Sequence, residues 1–168
     1  MKTLVGDIGN TSIKLCLIND KLKIIKKYSI KTEKLMKEKN IIKLFKPILD
    51  KNIKKKVLFS SVVPKAYVKI NKLLKKKNYH VYEVKNLSLK NLIKIKIDKY
   101  NQLGSDRIAN AIGAYSLYKK NCLIIDFGTA TTFDIVKKPG VYEGGVIAPG
   151  IKLSILNLNQ FTAALPIF

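Results

Sequence analysis

An α/β fold is the class this sequence predicts, and three observations carry the prediction. Apolar runs of strand length alternate along the chain with segments of helical period. A pattern of strand, Asp-x-Gly turn and strand occurs twice, at Asp7 and at Asp126. The composition is globular, 47% hydrophobic and 26% charged over 168 residues. That mix excludes collagen-like and mostly disordered classes.

The elements follow in order. Residues 3–7 read as a short buried strand, and residues 12–18 and 22–30 alternate as its hairpin neighbours. Residues 32–45 place Leu35, Met36, Ile41, Ile42, Leu44 and Phe45 among lysines, an amphipathic helix that Pro47 ends. Residues 57–63 form a buried strand, and Pro64 opens a helix to about Lys77, proline being tolerated in a first turn. Residues 79–84 are a further strand. Residues 92–97 alternate strictly, as an exposed edge strand does. Residues 105–119 carry the clearest helical signal: Ser105 can cap, and Ile108, Ile112 and Tyr115 recur on one face. Residues 122–125 and 131–137 form a second strand pair, and residues 151–158 a last helix.

Charge narrows the function classes. Lys and Arg number 33 against 11 acids, a net +22. A single arginine, Arg107, stands among them, whereas proteins that read nucleic-acid bases favour the arginine fork. Residues 1–99 carry net +20 and residues 100–168 net +2. The lysines are scattered through Ile, Leu and Asn rather than gathered beside aromatics. The charge is therefore read as compositional background, with a functional basic surface as the alternative; neither nucleic acid nor membrane is expected as a partner. Two cysteines, Cys16 and Cys122, are too few for a disulfide framework. Lysines interrupt every apolar run short of a membrane span, and no signal peptide is read at Met1. A soluble cytoplasmic protein is expected.

The repeat is the richest signal. Asp7-Ile8-Gly9-Asn10-Thr11 and Asp126-Phe127-Gly128-Thr129-Ala130 each join two strands, so two related halves are expected. In each, the Asp ends a strand and the Gly lets backbone approach a ligand. Such a turn offers N–H groups to phosphate oxygens, and its Asp suits a cation that neutralises phosphate. An ordinary hairpin turn is the alternative. Gly104-Ser105-Asp106-Arg107 opens a helix whose positive end suits an anion. A lone arginine in a lysine-rich chain suggests a two-bond carboxylate fork, and Asp106 beside it could take a hydroxyl proton. Their alternatives are a first-turn acid and a surface ion pair. Gly144-Gly145 and Pro149-Gly150 bracket a short strand and read either as turns or as backbone close to a ligand. His80, Tyr115 and Tyr118 are read as packing or surface residues.

Together the four motifs, Asp7 to Thr11, Gly104 to Arg107 with Ala109-Asn110, Asp126 to Thr132, and Gly144 to Gly150, resemble those of type III pantothenate kinase, in order and over nearly the whole chain. The resemblance implies an actin-like fold of two ribonuclease-H-like halves, a homodimer, and transfer of the ATP γ-phosphate to pantothenate, the first step of coenzyme A synthesis. Magnesium and a monovalent cation, potassium or ammonium, are implied. The family's ATP motif falls on Asp7, Ile8, Gly9, Asn10, Thr11, Ser12, Ile13 and Lys14, with Asp7 near magnesium and a further ATP contact at Thr129. Its pantothenate motif falls on Gly104, Ser105, Asp106 and Arg107, with Asp106 as base, and its monovalent-cation aspartate on Asp126.

The chain departs from the family in two places. Where many members carry a pocket tyrosine and then a proline, Ile97 and Tyr100 stand here. The halves are expected at residues 1–119 and 120–168, and the second is short for a core of its own, so a C-terminal truncation is expected. The rival readings are an inactive remnant or basic binding protein on the same fold, and another actin-like phosphotransferase.

Overall fold

The computed structural model describes residues 1–35, 38–49, 53–163 and 166. Two compact units arise: Met1–Leu87 with Gly104–Asp106, and Ser88–Leu103 with Arg107–Phe168. The expected boundary at 119/120 differs from this division. The segment before residue 104 and most of the helix after it pack on the second sheet, not the first.

The first unit opens with β1 (Lys2–Ile8), β2 (Ser12–Ile18) and β3 (Ile24–Lys31), followed by α1 (Thr32–Leu35) and α2 (Glu38–Phe45). Of the helix expected over 32–45, Thr32–Leu35 and Glu38–Phe45 are helical, and Met36, counted on its apolar face, lies outside the described residues. β4 (Ile53–Ser61), α3 (Pro64–Lys75) and β5 (His80–Glu83) complete the unit. The sheet order is β3-β2-β1-β4-β5. β1, β2 and β3 pair antiparallel, while β4 runs parallel to β1 and β5 parallel to β4. Alternation sorts the faces. Leu4, Ile8, Ile13, Leu15, Val57 and Phe59 are buried in one core with Leu35, Ile41, Phe45, Ala66, Ile70 and Leu74 from the helices. Gly6 lies within that face because Phe59 fills the space a side chain would need: an added Cβ would stand 2.5 Å from the Phe59 ring.

The second unit holds β6 (Lys94–Ile95), α4 (Ser105–Tyr118, its first two residues counted with the first unit), β7 (Cys122–Phe127), β8 (Ala130–Lys137), β9 (Val141–Pro149) and α5 (Ile151–Phe161). The sheet order is β6-β9-β8-β7. β7, β8 and β9 pair antiparallel and β6 joins β9 in parallel. Both units therefore contain three antiparallel strands followed by a helix, as the repeat leads one to expect. The edge strand expected over 92–97 is an edge strand of only two residues. The short strand expected between two Gly turns is instead part of β9, nine residues long, with Gly144 and Gly145 inside it. Val136 and Tyr142 are paired and fully buried; Ile108 and Ala111 of α4 are buried as well. Among the described residues no helix is long and apolar enough to cross a membrane.

Candidate active site

The first turn is built as the sequence suggests. Asp7 is the penultimate residue of β1, and the Gly9 N–H closes the turn on the Ser12 carbonyl at 3.1 Å. The Thr32 hydroxyl braces it from behind, donating to the Gly9 carbonyl at 2.6 Å. Strand register puts Lys14 on one side of Asp7 and Ser60 on the other, a cation, a carboxylate and a hydroxyl in one row on the face opposite the core. Ser60 is buried and its hydroxyl has no hydrogen-bond partner among the described residues. Ile8 and Ile13, by contrast, are wholly inside the core. Any part they play at ATP falls to their backbone.

The Gly104-Ser105-Asp106 segment lies at the same, carboxyl-terminal end of the parallel strands β1, β4 and β5. Two contacts hold it there. The Ser105 hydroxyl donates to the carboxylate of Glu83, the last residue of β5, with Ser105 1% and Glu83 8% exposed. Gly104 packs near Val62, just past β4, and the Asp106 carboxylate lies against it so closely that a Cβ there would displace that carboxylate. Open α/β sheets bind ligands beyond the carboxyl ends of their strands, and Asp106 and the Asp7 turn share that edge. Glu83 was not singled out by sequence reasoning; an acid closing an otherwise buried strand was its only signal. Burial, and next to it the negative Glu83, push the neighbouring Tyr67 phenol above its usual pKa.

In the second unit the Asp126 turn repeats the pattern. The Gly128 N–H bonds the Ala130 carbonyl at 3.0 Å, and the Gly150 N–H bonds the Thr129 carbonyl at 3.1 Å. Gly150 has no room for a side chain because the Gly128 and Thr129 carbonyls press on it; its close neighbour is this turn. The Asp126 carboxylate accepts a hydrogen bond from Asn110 of α4 at 2.8 Å. Arg107 is neither at the surface nor in a weak pair. Its Nε and Nη2 lie 2.8 and 2.6 Å from Oδ1 of Asp134, a wholly buried carboxylate of β8. Asp134 was likewise missed. Its signal was an acid in register with Thr132 and Val136 on the inward face of β8. Tyr100 lies in a short turn at Tyr100–Gln102.

Among the described residues no group of three or more His, Cys, Asp or Glu forms a metal cage. Asp7 and Asp126 belong to no such cage, and each has polar neighbours: Lys14 and Ser60 in register with Asp7, Asn110 bonded to Asp126. That donor set fits a cation shared with phosphate and water, since magnesium takes only one or two protein carboxylates at nucleotide sites.

The chain is 47% identical over 169 residues to a type III pantothenate kinase from Pelagibacter ubique, covering 97% of this chain and 65% of that protein. It is 37% identical over 167 residues to a type III pantothenate kinase from Fervidobacterium nodosum, covering 98% of this chain and 65% of that one. The chain thus spans about two thirds of the length of these relatives. Among solved structures, the ethanolamine utilization protein EutJ from Carboxydothermus hydrogenoformans superposes with a TM-score of 0.57 at 13% identity, over 99% of this chain and 58% of that one. The fold, a mixed α/β fold with two sheets, is accordingly one shared with a solved structure. Residues 3–168 match the sequence profile of the type III pantothenate kinases, and the chain belongs to that family.

Proposed function

We propose that the protein to which this chain belongs phosphorylates pantothenate with ATP, and that Asp106 is its general base. The observation that carries the reading is within the first unit: the Asp7 phosphate turn and the Asp106 helix start occupy one edge of one sheet. Asp106 takes the proton of the pantothenate hydroxyl while that oxygen bonds the γ-phosphorus and the bond to the bridging oxygen of ADP breaks. With the Gly9 N–H held by the Ser12 carbonyl, Asn10, Thr11 and Ser12 give backbone N–H groups to phosphate oxygens, and Lys14 adds a point charge. Thr129 gives a further ATP contact in the second unit. Gly104 and Ser105 present the helix start, and Arg107 binds the pantothenate carboxylate. Asp7 holds magnesium and Asp126 a potassium or ammonium ion; when bound, these cations neutralise charge on the phosphates. A cytoplasmic homodimer without nucleic-acid or membrane partners completes the reading. It rests on the family resemblance and on a lysine-dominated charge that lacks the arginine of base readers.

The test is ADP release that requires both ATP and pantothenate. Asp106→Asn is expected to lower kcat by about 10²–10⁴-fold with ATP affinity unchanged. Near-normal turnover of this variant, or ADP release with other alcohols and none with pantothenate, overturns the reading.

A further inference from the structure

We propose that Asp134, Tyr142 and Gly145 form a seat that fixes the plane of the Arg107 guanidinium, making Asp134 a positioning residue for pantothenate recognition; this rests on the assignment of Arg107 to the pantothenate carboxylate. Two hydrogen bonds, from Arg107 Nε and the Tyr142 hydroxyl, and one ion-pair contact, from Arg107 Nη2, converge on one oxygen. Arg107 Nε at 2.8 Å, Arg107 Nη2 at 2.6 Å and the Tyr142 hydroxyl at 2.5 Å all face Asp134 Oδ1. Asp134 is 0% and the Arg107 side chain 11% exposed. The other oxygen, Oδ2, is buried without a hydrogen-bond partner among the described residues.

A buried ion pair is a poor device for stability alone. Desolvation offsets most of its attraction, and well-packed apolar side chains often do as well. What it supplies is direction. A guanidinium held through two of its three nitrogens has its plane set, so its remaining donors point one way. An ammonium in the same place is a point charge with no plane.

The strand opposite is shaped to the same end. Gly145 pairs with Asp134 in the β8–β9 register. A Cβ there would collide with the Phe133 carbonyl and stand 2.9 Å from Arg107 Nη2. Tyr142, wholly buried on β9, reaches back to Asp134 with its hydroxyl. Of the Gly-Gly pair that reads in the sequence as a turn or a ligand contact, Gly145 thus makes room first for the Phe133 carbonyl and next for Arg107 Nη2.

Arg107 is the sole arginine, so its Nε–Hε group gives a single side-chain signal in a nitrogen–proton NMR spectrum of the chain. That proton is expected to exchange slowly with water. Asp134→Asn is expected to speed its exchange by about tenfold or more, because the charge-assisted bonds are lost. Tyr142→Phe keeps the ion pair and the ring and is expected to shift the same signal by less. If Asp134→Asn does not fold, Tyr142→Phe carries the test. An Nε–Hε signal unchanged in position and exchange in the folded variants overturns the seat. In the kinase assay, Asp134→Asn or Tyr142→Phe is expected to raise the KM for pantothenate with the KM for ATP unchanged. Equal loss for both substrates, in step with lost melting temperature, shows a merely structural pair and overturns the positioning role. If the NMR result holds while Arg107→Lys leaves pantothenate affinity unchanged, the seat stands and the assignment of Arg107 to pantothenate fails.

Discussion

Replacing Ser105 by alanine removes one oxygen atom, yet the structure makes it an expensive change. The hydroxyl is 1% exposed and donates to a Glu83 carboxylate that is 8% exposed. A hydrogen bond to a charged group contributes about 1.5–3 kcal/mol net, and a buried acceptor left without its donor adds a desolvation cost. Ser105→Ala is therefore expected to cost about 2–3 kcal/mol. Glu83→Gln keeps an acceptor in place but removes the charge, and neutral bonds are about half as strong, so it should cost about 1 kcal/mol. The double variant should cost less than the two singles together, by about 1 kcal/mol or more, as directly bonded partners do. Urea unfolding measures all three. With a slope of about 1–3 kcal/mol per molar, the Ser105→Ala midpoint should fall by about 1–2 M at unchanged slope. A fall below about 0.3 M, or strictly additive costs, would refute the reasoning and show that this bond does not anchor the start of α4 to β5.

Two further predictions concern the first unit. Gly6→Ala would put a Cβ 2.5 Å from the Phe59 ring and 2.7 Å from Leu15, both wholly buried, so overpacking should cost about 1–3 kcal/mol; an unchanged melting temperature would count against that account of the sheet. The Lys54 side chain, and next to it the N-terminal ammonium, hydrogen-bond Asp20 and lower its pKa from 3.8 to about 2. A carboxylate with a depressed folded pKa adds stability above its unfolded value that is lost as pH falls through the folded one. Asp20→Asn should therefore flatten the loss of stability between those two values, and acid titrations of the urea midpoint that stay parallel would rule it out.

What the chain alone determined is local. The turns at Asp7 and Asp126 were legible because a strand end, an acid and a conformationally free glycine lie within a few residues of each other, and sterics act at that range. The helix from Ser105 was legible from its cap and period for the same reason. The partners of those motifs were not. Glu83 meets Ser105 across 22 residues and Asp134 meets Arg107 across 27; nothing near either acid names its partner. Arg107 read as a fork held for a ligand, and only β8 showed a buried carboxylate already facing two of its nitrogens. Gly145 read as a turn or as backbone close to a ligand, and only its place in β9 opposite Asp134 showed that it makes room for the Phe133 carbonyl and for Arg107 Nη2. The two-residue β6 and the packing of α4 on the second sheet were decided the same way. Strand register and burial are settled by which faces meet once the chain has folded, and that pairing is non-local, so it leaves no periodic trace in the segments that make it.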